Sequence, residues 1–236
     1  MSAAAEVAPV PAGIYRLLFL GENSLKEIPI ARFLMATAPV TNGEFLDFVR
    51  ANPQWQRSQV KRLFADENYL KHWAGDTDLG SACDAAQPVT WVSWFAAKSY
   101  AAWNGGRLPT TAEWALAAGI GFTQRDGSKE AESKTAVARW YGTPGPATLP
   151  AAGSGRANLD GIRDLHGLVW EWTSDFNSAI VTGDAPGDTG LERQLFCGAG
   201  SLRSKEPSNY PAFMRFGFRS SLKASYTVHN LGFCYV

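Results

Sequence analysis

Few residues in this chain are equipped for chemistry: three cysteines (Cys83, Cys197 and Cys234), three histidines (His72, His166 and His229), and a glutamate set between tryptophans. That glutamate, Glu171, lies in the run Asp164-Leu165-His166-Gly167-Leu168-Val169-Trp170-Glu171-Trp172-Thr173-Ser174-Asp175. In an extended strand Trp170 and Trp172 point to one face and Glu171 to the other. Two indoles belong in a core with partners for their N–H groups. A carboxylate held between them should pair with a metal, with a cation such as Arg219, or with backbone donors. The cysteines fit no paired spacing, so one disulfide with a free thiol and three reduced thiols both remain open. If the terminal strands are neighbours, Cys197 and Cys234 meet as a disulfide or a soft-metal site with His229 nearby. The plainer reading makes both small apolar residues of core strands. His166, beside Gly167, is expected to hydrogen-bond backbone. The chain carries no Walker loop, dinucleotide fingerprint, His-Glu-x-x-His motif or Gly-x-Ser-x-Gly elbow.

The elements that must position these groups are short. Residues 11–18 and 28–35 read as the two strands of a first hairpin. Thr41 and Glu44 form a capping box, Val40 staples onto Phe45, and a helix runs from Asn42 to before Pro53. Residues 54–87 read as a loop-rich insertion anchored by Trp55, Phe64, Tyr69 and Trp73. Ser93 caps a second helix that Asn104-Gly105-Gly106 terminates. A second capping box, Thr110 with Glu113, opens a third helix closed by Gly119. Residues 120–157 read as loop apart from Trp140-Tyr141. The segments 194–201, 214–219 and 230–236 read as strands of one sheet.

The 236 residues, 45% of them hydrophobic, suffice for one sizeable domain, and neither repeat nor linker divides them. Residues 1–9 read as a disordered leader and 10–236 as the domain. With 19% charged residues and zero formal net charge there is no basic excess for nucleic acid or an anionic membrane. No apolar stretch is long enough to span a bilayer. The start has no basic n-region or apolar h-region, so compartment is open, an exported or periplasmic site being favoured if a signal peptide has been removed. Nine tryptophans among 23 glycines and 13 prolines suggest short elements and long loops around aromatic plugs.

The run Ala38-Pro39-Val40-Thr41-Asn42-Gly43-Glu44-Phe45, then Pro88-Val89 through Val92-Ser93-Trp94, Arg107-Leu108-Pro109-Thr110 with Ala112-Glu113-Trp114, Asp164 to Trp172, Gly200-Ser201 and Asn230-Leu231-Gly232-Phe233 resembles the formylglycine-generating enzyme, or sulfatase-modifying factor, family. The marks occur in the family's order from near residue 11 to the C-terminus. The resemblance implies an α+β, C-type-lectin-like domain with few helices, short strands and much irregular structure. Its branches include a copper-dependent oxidase of sulfatase cysteines, non-haem iron enzymes of ergothioneine synthesis, pyoverdine-maturation proteins, accessory proteins and binding proteins, and fold alone does not choose among them.

The oxidase works through a cysteine pair whose thiolates bind Cu(I) and exchange with the substrate. Ungapped carry-over places Ser204 and Asn209 at those two positions, so formylglycine synthesis is not expected. The resemblance places Trp172, Ser201 and Asn230 on the substrate cleft, with Thr227 where the family has serine. It assigns calcium to Glu171 with the carbonyls of Gly167 and Val169, although Leu168 replaces a usual asparagine. Cys234 replaces the arginine of the family's Gly-Phe-Arg. Iron chemistry would need a histidine triad and a further helical domain, which this sequence does not supply. Two roles follow. The first is an accessory or maturation factor that holds a protein or peptide in the former cleft, with Arg203, Ser204, Lys205, Asn209 and Tyr210 as its polar edge. The second is an oxidoreductase with a copper or iron centre rebuilt around Cys197 and Cys234.

Overall fold

The computed structural model describes residues 6–16, 27–177 and 210–236. The expectations attached to Cys197, Ser201, Arg203, Ser204, Lys205 and Asn209 fall outside them, as does that for the strand at 194–201. Two antiparallel ribbons begin the fold: β1 (Val7–Val10) pairs with β4 (Phe33–Ala36), and β2 (Gly13–Arg16) with β3 (Glu27–Ile30). The expected hairpin is therefore β2–β3, and the run 28–35 breaks at Ala31-Arg32 into two strands with different partners. Within the span 1–9, residues from Val7 on belong to β1. Ala8 and Val10 are buried, and pairing with β4 satisfies the backbone that a disordered segment would leave to water.

Helix α1 (Asn42–Ala51) starts at the capping box of Thr41 and Glu44, and its buried Phe45, Phe48 and Val49 form one stripe. Helix α2 (Trp94–Trp103) is capped by Ser93, whose hydroxyl accepts from the Ala96 N–H. Helix α3 (Thr111–Ala118) starts at the box of Thr110 and Glu113 and stops at Gly119.

Two further helices stand where the sequence reads as loop and as strand. Helix α4 (Ala131–Gly142) lies inside the supposed loop, and α5 (Tyr210–Ser220) contains the supposed strand 214–219. The reason for α5 is periodic: Tyr210, Met214 and Phe218 recur every four residues, which outweighs the local alternation from Met214 to Arg219.

The centre is small. Strand β5 (Trp170–Glu171) runs parallel to β6 (Leu231–Gly232), with Trp170 opposite Leu231 and Glu171 opposite Gly232. A Cβ on Gly232 would stand 2.6 Å from the Val89 carbonyl oxygen, so only glycine lets the 87–92 segment lie against β6. The larger core cluster, with Phe45, Phe48, Trp73, Tyr100, Trp172 and Phe233, lies on the tryptophan face of β5. The smaller, with Val10, Met35, Trp114, Ile162 and Cys234, lies on the glutamate face. The alternation read from the sequence thus divides the core in two. Among the described residues no helix is long and apolar enough to cross a membrane.

Candidate functional site

The N-terminal end of α1, the 87–91 segment, the end of α4 with the 143–149 loop, β5, α5 and the turn before β6 enclose a cleft of about 460 Å³. Its aromatic walls are Trp91, Trp140, Tyr141 and Trp170, with His72, His229 and Asn230 among the polar groups. Trp170 is stacked on Phe218 at 4.3 Å between ring centroids, and Tyr141 meets it edge-on at 5.6 Å. Trp140 lies 6.4 Å from Trp170. These rings bridge α4, β5 and α5, so the wall is as rigid as the helices that carry it.

Trp91 is held on all sides. Its N–H donates to the Val228 carbonyl and its carbonyl accepts from the Leu70 N–H. The Lys71 ammonium lies 3.8 Å over its ring, and His229 packs at 6.0 Å. Its φ of +55° is in the left-handed region, which is rare for a bulky side chain and costs on the order of 1–3 kcal/mol. The surrounding contacts sustain that strain and present the indole to the cleft.

The tautomer of His72 follows from its neighbours. Asn42 Nδ2 donates to the carbonyls of Asp84 and Gln87, so Asn42 Oδ1 is the acceptor for Trp73 Nε1 at 3.1 Å and for His72 Nε2 at 3.2 Å. The proton is therefore on Nε2, and Nδ1 carries a lone pair. Burial pushes the imidazole down to about 4, so it is neutral at ordinary pH. Nδ1 of His72 is buried without a partner, and so is Oδ1 of Asn230. Two of the residues lining this aromatic cleft thus keep buried acceptors that lack donors.

Of the residues expected to line a cleft, Asn230 does so. Trp172 does not: it is 1% exposed, donates its indole N–H to the Val92 carbonyl, and belongs to the larger core cluster. Thr227 is also interior, with its hydroxyl and its N–H both donating to Asp66. His72, Trp91, Trp140 and Tyr141 were not singled out as cleft residues by sequence reading. The signal at hand was the adjacent Trp140-Tyr141 pair, which ends an amphipathic helix too polar to stand out.

Glu171 lies on the opposite face of β5, 5% exposed. Oε2 accepts from Trp114 Nε1 at 2.5 Å and from the Cys234 thiol at 3.3 Å, while Oε1 has no partner. Burial raises the carboxyl to about 7, against the pull of these two donors. Arg219, over the Trp114 ring at 5.1 Å, acts on Glu171 through its charge, and burial lowers the guanidinium itself to about 10. The groups gathered here are an indole N–H, a thiol and a cation. They favour the carboxylate, while burial favours the neutral acid, and none of them is among the six to eight oxygen ligands that a calcium ion needs. Gly167 is exposed at φ +116° and Val169 is buried. Among the described residues no group of three or more His, Cys, Asp or Glu side chains could hold a metal.

Cys234 is a free thiol, 1% exposed, and burial followed by the charge of Glu171 raises it well above the usual range. A thiol so placed is neither a thiolate ligand nor open to attack. Cys83 is likewise free and buried, and burial raises it to about 11.

The sulfatase-modifying factor enzyme 1-like domain matches residues 3–236. The chain belongs to the sulfatase-modifying factor family. As a member, it is 33% identical over 170 residues to hercynine oxygenase of Mycobacterium tuberculosis, covering 65% of this chain and 40% of that one. It is 29% identical over 192 residues to the inactive C-alpha-formylglycine-generating enzyme 2 of Bos taurus, covering 65% and 63%. The solved structure of PvdO from Pseudomonas aeruginosa shares the fold, with a TM-score of 0.52 and 23% identity over 98% of this chain and 93% of that one. Beside serine/threonine-protein kinase pkn1 of Chlamydia caviae and that hercynine oxygenase, this family member spans 24% and 40% of their lengths. The expected fold, a sulfatase-modifying factor α+β domain of few helices, short strands and much irregular structure, is the one found.

Proposed function

We propose that this sulfatase-modifying factor protein is a binding member of its family: it holds a peptide segment of a partner protein in the aromatic cleft, as an accessory or maturation factor, and does not oxidise sulfatase cysteines. The observation that carries this is the cleft itself, walled by Trp91, Trp140, Tyr141 and Trp170 and lined also by His72 and Asn230, each of which keeps a buried acceptor without a donor, Nδ1 and Oδ1. Extended peptide supplies N–H donors along its length, and planar aromatic walls are the surfaces that dominate peptide and protein recognition. A donor from the bound segment that reaches either acceptor removes the cost of leaving it unpaired.

The cysteine inventory supports the second half of the reading. The chain has three cysteines, and Cys83 and Cys234 are buried thiols held protonated. That leaves Cys197 alone, while Ser204 and Asn209 stand where the family's pair is expected. The existence of a family relative described as inactive makes such a loss chemically unexceptional. A centre rebuilt on Cys197 and Cys234 draws no support from the surroundings of Cys234, whose thiol is committed to Glu171.

Display of a random peptide library against the whole protein tests the reading. Wild type enriches a recurring peptide pattern, and Trp140→Ala weakens the selected peptides by roughly thirtyfold, the cost of removing an aromatic anchor. Failure to enrich any pattern, or equal binding by the variant, overturns it.

A further inference from the structure

A second cavity, of about 510 Å³, lies behind α4 and is lined by residues of α3, the 119–128 loop, α4, the 156–166 segment and α5. Its size is within the range of roughly 300–1,000 Å³ common to small-molecule sites. Helix α4 accounts for it. Ser133 is the one residue that this helix buries, and Ala136 and Val137 remain half-buried because they face the cavity. Opposite them are Ala118, Ile120, Phe122 and Leu165, so the body of the space is apolar.

Charge is confined to a few side chains and is uneven. Among the described residues Lys134, Arg156 and Arg215 line the cavity, against Asp164 as the one carboxylate. Asp164 is already satisfied, accepting the N–H of Gly153 at 2.6 Å and of Gly155 at 3.0 Å. His166 adds no charge: its Nε2 is bonded to the Ala118 carbonyl, and burial, then Arg215, lowers it to about 3. Arg156 pairs with Glu132, which is outside the lining, and lies over Phe122 at 4.5 Å. Arg215 donates to the Tyr141 hydroxyl and packs over the Trp114 and Tyr141 rings. Among the described residues neither Arg215 nor Lys134 meets a carboxylate. An apolar chamber with an excess of cations is complementary to a molecule that has an apolar body and one anionic end.

We infer that this chamber is a second binding site, separate from the aromatic cleft, for an organic carboxylate with an apolar body, the class of the medium-chain fatty acids. The apolar body lies along Ala136 and Val137 of α4, and the carboxylate meets Lys134. The inference does not rest on the peptide reading of the cleft, whose Trp140→Ala variant leaves this cavity intact.

Calorimetric titration of the whole protein with monomeric dodecanoate, and separately with dodecan-1-ol, is the test. Wild type binds dodecanoate saturably, at least about tenfold tighter than the alcohol, as expected for a charge-assisted contact out of bulk water. Lys134→Glu, at an exposed position, weakens dodecanoate by about tenfold and leaves the alcohol unchanged. Ala136→Trp, filling the space, abolishes both. No saturable binding by wild type, equal affinity for acid and alcohol, or an unaltered Lys134→Glu variant overturns the inference. So does full binding by Ala136→Trp with a native circular dichroism spectrum; if that variant does not fold, Lys134→Glu decides alone.

Discussion

The two faces of β5 were built from adjacent residues and ended in opposite states. On one, Trp172 is sealed in the larger core with its only polar atom satisfied by the Val92 carbonyl. On the other, Glu171 is as deeply buried but keeps one oxygen without a partner and a carboxyl raised to about 7. One residue of register separates a saturated apolar contact from a polar group that the fold must tolerate. In this architecture, with so little regular structure, the central strand seals an apolar core with satisfied polar atoms on one side only. The other side is sensitive to conditions.

The sharpest way to break the comparison is to remove its stable half. Trp172→Ala leaves a cavity in the larger cluster and is expected to cost about 3–5 kcal/mol, a large part of a domain's stability. Urea unfolding checks it, and a loss below about 1 kcal/mol would show that the core does not depend on this indole.

The second effect concerns the sensitive half. The folded-state pKa of Glu171 is raised above the usual 4.5 to about 7, so the folded protein binds this proton more tightly than the unfolded chain. Its contribution is complete below about pH 4.5 and is lost as pH rises through about 7, a decline on the order of 3 kcal/mol. Thermal melts across that window are expected to show the decline in wild type and its absence in Glu171→Gln. Equal slopes would place the titration elsewhere. His72 and His166, lowered to about 4 and about 3, act in the other sense: their contribution is present above pH 6.5 and lost as pH falls through those values.

Smaller effects come from helix starts far from β5. Thr110→Ala removes a side-chain cap and is expected to cost about 1 kcal/mol. Arg107→Ala breaks a pair with Glu113 whose arginine is 55% exposed, so its cost is at most about 1 kcal/mol and falls with salt. Chemical denaturation at low and high salt separates the two.

What could be read from sequence divides along similar lines. Both capping boxes and the Ser93 cap were legible because their chemistry is complete within four residues. The opposed faces of β5 were legible from alternation alone. Helix α4 was not: it has no side-chain cap, and Glu130 before it instead accepts from Phe122, Thr123 and Ser133. Helix α5 reads as a strand because Met214 to Arg219 alternates locally, and its four-residue period shows only over a longer span. The cleft was least legible, since His72, Trp91, Trp140, Trp170 and Asn230 come from five separate segments. Likewise nothing in their spacing announces that Trp114 and Cys234 both donate to Glu171.

The central claim, a sulfatase-modifying factor frame that binds without cysteine oxidation, is tested most directly by chemistry. The purified protein, supplied with Cu(I) and oxygen, is incubated with a cysteine-containing sulfatase peptide, and the peptide is followed by mass spectrometry. The account predicts a peptide of unchanged mass. Conversion of its cysteine to formylglycine, above the level seen without protein, would contradict it.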